Sequence, residues 1–266
     1  ALPHLLEVPV ISEEKIRGAL HGAADTRIIV LDEVGSTNNF AKENAVPGGT
    51  LICAARQTGG RGRRGKSFFS PEGGVYMTAV FDADKIPSLT LLTVICAAAA
   101  AKFFEEAGVG GIGIKWVNDI FCDGKKVSGI LCEAICGADG AISRVICGIG
   151  ININMPREAF APEIRELAGS VRTDRTREEI IGGIYSGICA LLCVPREEVL
   201  AEYKKRLFIL GDEVSYVKDG ERRSGTAFDI NSDANLLVRT KDGTDTLTAG
   251  EISLGSGGFC GVEKGR

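Results

Sequence analysis

Apolar positions along the chain follow two different periods. The segments at 27–32 (RIIVLD), 50–55 and 75–81 (VYMTAVF) are short, apolar and bounded by polar or glycine-rich stretches, which predicts strands. Shorter apolar runs at 113–117, 119–122, 126–136 and 144–152 predict further strands, with Asp123-Gly124 as a hairpin turn. Helical signals stand between them. Ser12 followed by Glu13 and Glu14 gives a cap and first-turn acids for a helix to about residue 20. Ser36 or Thr37 caps an amphipathic stretch to about residue 44, and 88–106, capped at Ser88 and rich in Leu and Ala, is the strongest helix pattern. Helices at 175–193 and 196–207 follow, separated by Pro195.

From Gly211 the pattern changes. Four short alternating segments (EVSYV, RSGTAFDI, NLLVRT, DTLTA) are broken by turn residues at Lys218-Asp219-Gly220, Asn231-Ser232-Asp233 and Lys241-Asp242-Gly243. Turns at this spacing predict a small β-barrel of SH3 size. The expected organisation is therefore a first domain over 1–210, with 1–26 as linker and first helix. A barrel over 211–255 and a frayed, glycine-rich tail over 256–266 complete it. No internal repeat is visible.

Composition narrows the class. In 266 residues, 44% are hydrophobic and 25% charged, as in an ordinary soluble globular protein. The 35 glycines come with only 8 prolines and no G-X-Y period, so collagen and Pro-rich disorder are excluded. A net charge of −4 argues against a general nucleic-acid binder. The longest apolar run, 91–101, is far short of the ~20 residues that span a bilayer. The start lacks a basic n-region, so a cytoplasmic location without membrane contact is expected.

Nine cysteines occur without a CxxC pair; the CxxxC spacings are Cys132/Cys136 and Cys189/Cys193. No histidines accompany them, so buried free thiols in a reducing compartment are expected rather than a zinc site. Histidine is scarce: His4 and His21 both precede the glycine-rich centre. Ser-His-Asp hydrolysis and histidine general-base chemistry have little to work with. Chemistry here is expected to run on Lys, Arg, Asp, Asn and backbone amides.

The segment 57–74, QTGGRGRRGKSFFSPEGG, carries the sharpest signal. Gly60, Gly62 and Gly65 match G-x-G-x-x-G in form. A dinucleotide site needs that motif to open a helix, however, and Ser70-Pro71 and a Gly pair follow within nine positions. P-loop spacing is absent too. What remains is a flexible loop with four cations, Arg61, Arg63, Arg64 and Lys66. Its glycines permit close backbone approach, and its guanidinium forks match phosphate or carboxylate. A second cluster, Lys115-Trp116-Val117-Asn118-Asp119-Ile120 and then Gly124-Lys125-Lys126-Val127-Ser128-Gly129-Ile130-Leu131-Cys132-Glu133, sets Lys, Asn and Asp inside apolar strands. Such groups need partners, and the residues alone leave a structural network and a site equally open. The glycines of 148–154 (GIGININ) are equally open between close approach to a ligand and tight strand packing.

Together these segments resemble the biotin–protein ligases. The family pattern GRGRxGRxWxSPxGG is matched by 60–74, KWPND by 115–119, KxxGIL by 126–131 and GxGIN by 148–152. Ser36-Thr37-Asn38 matches the family's STN, Gln57 sits at its usual distance before the loop, and 248–254 (TAGEISL) resembles the end of the family's C-terminal domain. The resemblance spans about 27–254 in the right order.

It implies an α+β fold: a mixed β-sheet catalytic domain packed with helices, of the class II aminoacyl-tRNA-synthetase-like kind, plus an SH3-like barrel. It also implies two half-reactions. Biotin and ATP, with Mg²⁺, give biotinyl-5′-AMP and pyrophosphate; a lysine of a biotin carboxyl carrier protein then takes the biotinyl group and releases AMP. The implied biotin-binding residues are Ser36, Thr37, Asn38, Gln57, Arg61, Gly62, Arg63, Lys126 and Gly129. ATP or the adenylate is assigned to Arg61, Arg63, Arg64, Lys66, Phe68, Lys115, Asn118 and Asn152. Arg61, Arg63 and Lys126 carry the first step, and Asp119 orients or deprotonates the incoming lysine in the second. The electrostatics agree, since two anions must meet and cations must offset their repulsion.

Phe68 stands where the family has Trp and is expected to stack on adenine with less area. Lys66 replaces an Arg, and Val117 the Pro of KWPND. Many relatives carry an N-terminal DNA-binding helix-turn-helix; the 26 residues before the first core strand are too few for one, so no DNA binding is expected. A homodimer through the sheet is left open. The alternatives are a lipoate–protein ligase and a non-catalytic biotin-binding regulator.

Overall fold

The computed structural model describes residues 11–137, 139–248 and 252–254. His4, the N-terminal linker before residue 11, most of the 248–254 match and the tail at 255–266 lie outside the described residues. The first domain is built on a seven-stranded sheet in the order β1-β2-β3-β7-β6-β5-β4. These strands are β1 (Arg27–Val34), β2 (Thr50–Gln57), β3 (Val75–Asp82), β4 (Ile112–Lys115), β5 (Asp119–Cys122), β6 (Lys125–Cys136) and β7 (Ile142–Ile151). Only β1 and β2 run parallel, joined through α2 (Thr37–Glu43); the remaining pairings are antiparallel.

The two faces of the sheet are covered unequally. On the reverse face lies α3 (Leu89–Glu106), held at its start by Ser88, whose hydroxyl accepts from the Leu91 amide. Every residue from Leu91 to Ala101 on α3 is buried, because α1 (Glu13–Gly18), α4 (Arg177–Leu192) and α5 (Arg196–Lys204) close over the layer. This explains an alanine-rich helix without an apolar stripe: it is the middle of a sandwich, and small residues let its neighbours approach. A capping box at Thr176 and Glu179 starts α4. Among the described α-helices only α2 packs on the front face, against β2, β3 and β7, and it leaves the ends of β5, β6 and β7 to loop segments.

A second, five-stranded sheet follows, ordered β11-β10-β9-β8-β12, from β8 (Glu213–Lys218), β9 (Glu221–Ile230), β10 (Leu236–Thr240), β11 (Gly243–Leu247) and β12 (Ser253–Leu254). It is the small C-terminal β unit of the expected fold class. The Asp219-Gly220 turn has both residues at positive φ, as does Asp123-Gly124, which is the geometry a tight hairpin requires. The indole of Trp116 donates to the Ala234 carbonyl at 2.9 Å and ties the two sheets together.

Several boundaries differ from the sequence reading; the helix expected over 196–207, for one, ends at Lys204. The strand expected over 113–117 ends at Lys115, because Trp116 and Val117 turn inward to meet Ala234 and the Tyr203 hydroxyl. The helix expected from 175 begins at Arg177, one residue after its Thr176 cap. Among the described residues no helix is long and apolar enough to cross a membrane.

Candidate active site

Two consecutive glycine-containing strands make the floor. Gly129 on β6 faces Gly150 on β7 across the ladder, and Leu131 faces Gly148. A Cβ at Gly150 would overlap the Phe68 ring, with Cδ1 at 2.8 Å, and one at Gly148 would overlap the Asn38 amide, with Cγ at 2.9 Å. These glycines are therefore positions of close approach by side chains of the front face. For 148–150 the structure thus shows tight packing of protein side chains on the strand, one of the two readings the sequence left open.

Over Gly148 stands a wall of polar side chains from the start of α2. Gln57 Oε1 accepts from the Thr37 amide (2.8 Å) and hydroxyl (3.1 Å), while Gln57 Nε2 donates to Ser70 Oγ at 3.0 Å. Thr78 Oγ1 lies 2.7 Å from Asn38 Oδ1 and 2.8 Å from Thr37 Oγ1. Asn38 Nδ2 donates to the Leu131 carbonyl and to Glu133 Oε2, and Lys42 pairs with the other Glu133 oxygen at 2.6 Å. Ser36, Thr37 and Asn38 are buried. Together with Gln57, Phe68 and the glycine floor they line a narrow recess of about 30 Å³. Its polar groups are fixed by one another before any ligand arrives, so little order remains to be imposed on binding.

The recess opens into a wider cleft of about 340 Å³ beneath the 57–74 loop. That loop is a folded hairpin: Arg61 bridges to Ser67, the Gly62 amide donates to the Lys66 carbonyl, and the Phe68 amide donates to Gly60. Arg63–Gly65 forms one 3₁₀ turn at its tip, with Arg64 and Gly65 at positive φ. No helix follows, so the G-x-G-x-x-G match does not build a dinucleotide site. Arg61, Arg63 and Lys66 line the cleft from the loop, and Lys115 and Lys126 from the strands. Against these five cations stands Asp119, the one carboxylate among the described residues lining the cleft. A chain of net charge −4 thus concentrates positive charge here.

Lys126 Nζ and Asp119 Oδ1 lie 2.7 Å apart at the centre, brought together by a register shift between β5 and β6. The pair is oriented for charge contact rather than an aligned hydrogen bond, since that oxygen has no hydrogen-bond partner. Arg63 Nη1 donates to Asn118 Oδ1 at 3.2 Å, and Asn118 Nδ2 donates to the Ile130 carbonyl, so loop and strand turn are joined. Arg61 Nη1 reaches Asn39 Oδ1 at 3.1 Å on α2. Beneath them the Tyr203 hydroxyl donates to the Val117 carbonyl. Burial, and then the Asp119 charge, push the Tyr203 phenol well above its ordinary pKa, so it stays a donor.

A third hollow, about 170 Å³, adjoins Lys126 on the far side from the recess. Phe68, Phe69, Phe160, Ile164 and Leu167 give it apolar walls; the Phe69 and Phe160 rings are 6.0 Å apart. Asn152 supplies its polar group: Nδ2 donates to the Gly169 carbonyl, while Oδ1 is buried without a partner.

Most residues named from the sequence therefore converge. Ser36, Thr37, Asn38 and Gln57 line the recess, Arg61, Gly62, Arg63, Lys66, Lys115, Asn118, Asp119, Lys126 and Gly129 line the cleft, and Asn152 lines the apolar hollow. Arg64 does not line the cleft; it sits exposed at the hairpin tip. Phe68 lies on the glycine floor where recess, cleft and hollow meet, so the apolar wall beside Asn152 is shared with Phe69 and Phe160. Sequence reasoning missed those two and Leu167, as well as Thr78 and Lys42, and gave Glu133, inside the second cluster, no role of its own. Phe69 and Leu167 are exposed large apolar side chains, a property no sequence pattern displays.

The cysteines divide. Cys53, Cys96 and Cys147 are buried free thiols as expected, but Cys136 and Cys193 are exposed, and Cys260 lies outside the described residues.

Comparison with known proteins identifies the family and the fold. Residues 30–152 match the family model of the biotin/lipoate A/B protein ligase family. The chain is 33% identical over 266 residues to the bifunctional ligase/repressor BirA of Bacillus subtilis, covering 92% of this chain and 79% of that protein. It is 26% identical to the biotin–[acetyl-CoA-carboxylase] ligase of Mycobacterium tuberculosis, covering 92% and 96%. Among solved structures, the biotin protein ligase from Aquifex aeolicus in complex with biotin and ATP superposes with a TM-score of 0.72 at 27% identity, over 86% of this chain and 98% of that one.

Proposed function

The chain belongs to the biotin–protein ligase family, and from its cleft we propose how it works: it joins the carboxylate of biotin to the α-phosphate of ATP and passes the biotinyl group to a lysine of a biotin carboxyl carrier domain. The observation that carries this reading is the junction at Phe68. A small recess of fixed polar groups, a cleft with five cations and an apolar hollow with a buried amide oxygen all border that ring, and Lys126 lines both the cleft and the hollow.

The recess suits the ureido ring, a small planar group with two N–H donors and a carbonyl, beside Asn38, Thr37 and Gln57. The biotin tail then leads its carboxylate toward Lys126. Adenine fits the hollow between Phe69, Phe160 and Leu167, where the unpartnered Asn152 Oδ1 can accept from an exocyclic amine. The phosphates lie between, facing Arg61, Arg63, Lys66 and Lys115. Each charge-assisted hydrogen bond contributes about 1.5–3 kcal/mol, so two or three suffice to offset the repulsion between the acids. A carboxylate oxygen of biotin attacks the α-phosphorus, the bond to the bridging oxygen breaks, and pyrophosphate leaves. Cations fixed around the α-phosphate stabilise the charge that develops there.

Mg²⁺ enters with ATP as part of the substrate. Asp119 is already held by Lys126, and the cleft offers no cage of carboxylates among the described residues. Phosphate oxygens and water would supply most of the coordination, as is usual for this ion. In the second step the amine of the carrier lysine attacks the acyl carbon of the adenylate and AMP leaves. Asp119 orients the incoming ammonium and takes its proton. The 61–67 hairpin covers the anhydride from water meanwhile.

Biotin-dependent exchange of pyrophosphate into ATP tests this reading. Exchange with biotin and none with lipoate is expected. Exchange with lipoate alone would make the chain a lipoate ligase, and exchange with neither a non-catalytic regulator.

A further inference from the structure

On the reverse face of the sheet, away from the cleft, three sulfurs converge from three separate elements. Cys96 comes from α3, Cys132 from β6 and Cys147 from β7, and their Sγ atoms all lie within 4.8 Å of one another. Cys132 and Cys147 are direct cross-strand partners, so the ladder fixes their separation. Cys96 is held by the most completely buried stretch of α3, and the Cys147 thiol points at its sulfur across 3.0 Å. Neither histidine nor carboxylate joins the group among the described residues.

We propose that Cys96, Cys132 and Cys147 form a binding site for one thiophilic metal ion of the Cu(I) or Zn(II) class. Three thiolates each ~2.3 Å from a metal stand about 4 Å apart in a trigonal plane. The observed sulfurs, 3.0 Å apart in one pair and all within 4.8 Å, bracket that spacing. A donor set of sulfur alone selects soft ions and rejects Mg²⁺, which separates this site from the Mg²⁺ that arrives with ATP. Loading balances as one metal ion and three thiols giving a tris-thiolate complex and three protons.

The site also backs the recess. Cys132 follows Leu131, whose carbonyl holds the Asn38 amide, and Cys147 precedes Gly148, against which Asn38 packs. A metal bridging Cys132 and Cys147 would clamp the two strands that carry that wall.

The test uses the full chain with Cys122, Cys136, Cys193 and Cys260 changed to Ser, which leaves the trio intact. Reduced, metal-free protein is titrated anaerobically with Cd(II), and in separate arms with Cu(I) and Zn(II) against chelators of known affinity. One ion per chain is expected, with a thiolate-to-cadmium charge-transfer band saturating at one equivalent and about three protons released. Adding Cys147→Ala abolishes the band. The tighter of the Cu(I) and Zn(II) arms identifies the native ion. Absence of a saturating band in the protein with the trio intact overturns the proposal whether or not the alanine variant folds. So does a band that survives Cys147→Ala, or a Cys96–Cys147 disulfide in protein isolated without metal.

Discussion

Substituting Gly148 by alanine tests the glycine floor with a single methyl group. The new Cβ would overlap Asn38 Oδ1 and lie 2.9 Å from Asn38 Cγ and 3.0 Å from Nδ2. Asn38 cannot simply retreat, because Thr78 holds its oxygen while Leu131 and Glu133 hold its nitrogen. Moving it disrupts bonds worth about 1 kcal/mol each, or about 1.5–3 kcal/mol for the one to the Glu133 carboxylate. Against this, replacing glycine by alanine at a compatible backbone stabilises by only about 0.4–1 kcal/mol through the unfolded chain. The φ of Gly148 is not in the left-handed region, so the backbone adds no strain of its own. If Asn38 hydrogen-bonds the ureido ring, displacing it leaves a buried neutral partner unmatched in the complex, about 1–3 kcal/mol. At 1.4 kcal/mol per factor of ten, biotin Kd rises roughly 5- to 150-fold. Calorimetric titration with biotin measures this directly, and pyrophosphate exchange at saturating biotin should show KM for ATP unchanged. A biotin Kd within twofold of the parent, alongside a clear fall in Tm, would remove Asn38 from the ligand site and leave it a structural residue.

Four further outcomes follow from the same geometry. Lys126→Ala should slow adenylation about 10²–10³-fold. It should lower Tm by only a few degrees, because a part-exposed ion pair is worth about 1 kcal/mol at most; a large thermal loss with modest kinetic loss would make the lysine structural. Arg63→Gly removes the contact to Asn118 and should speed release of the adenylate about tenfold or more, read by chasing labelled intermediate; an unchanged release rate excludes Arg63. Asn152→Leu should raise KM for ATP about tenfold while leaving biotin Kd alone, and an unchanged KM would show that the apolar hollow does not take adenine. In the C-terminal sheet, hydrogen bonds from Lys218 and then Tyr216 lower the Asp245 pKa from 3.8 to about 2. A depressed folded pKa means that the stabilisation is full above about 3.8 and is lost as pH falls toward about 2. The Tm gap between the parent and Asp245→Asn should therefore close across that interval, and a gap independent of pH would contradict the assignment.

What could be read in the sequence divides along local and non-local lines. The strands at 27–34, 50–57 and 75–82 and the helix at 89–106 declare themselves through period, capping and length, all properties of a short window. The loop at 57–74 is equally legible, since its glycines and cations leave little else for it to do. Contacts set by register are not. Gly148 and Gly150 could be assigned to close approach only once Asn38 and Phe68 were seen above them. Phe69 and Phe160 lie about ninety positions apart and meet through the fold alone. The cysteines show this most sharply. The spacings visible in sequence pair Cys132 with Cys136 and Cys189 with Cys193, whereas the structure gathers Cys96, Cys132 and Cys147 through a strand register and a helix packing that no spacing records. Arg64 has the same chemistry as its neighbours, yet it sits exposed at the hairpin tip, outside the lining of the cleft, a difference that only the fold displays.

A crystal structure of the chain soaked with biotin and a non-hydrolysable ATP analogue puts the arrangement to its hardest trial. The ureido ring should lie between Asn38 and Gln57, with the biotin carboxylate at Lys126. The α-phosphate should lie within hydrogen-bond distance of Arg61 or Arg63, and the adenine against Phe69 and Phe160 with its amine on Asn152. Nucleotide bound elsewhere, with both arginines pointing into solvent and Lys126 still paired only to Asp119, would contradict the account at its centre.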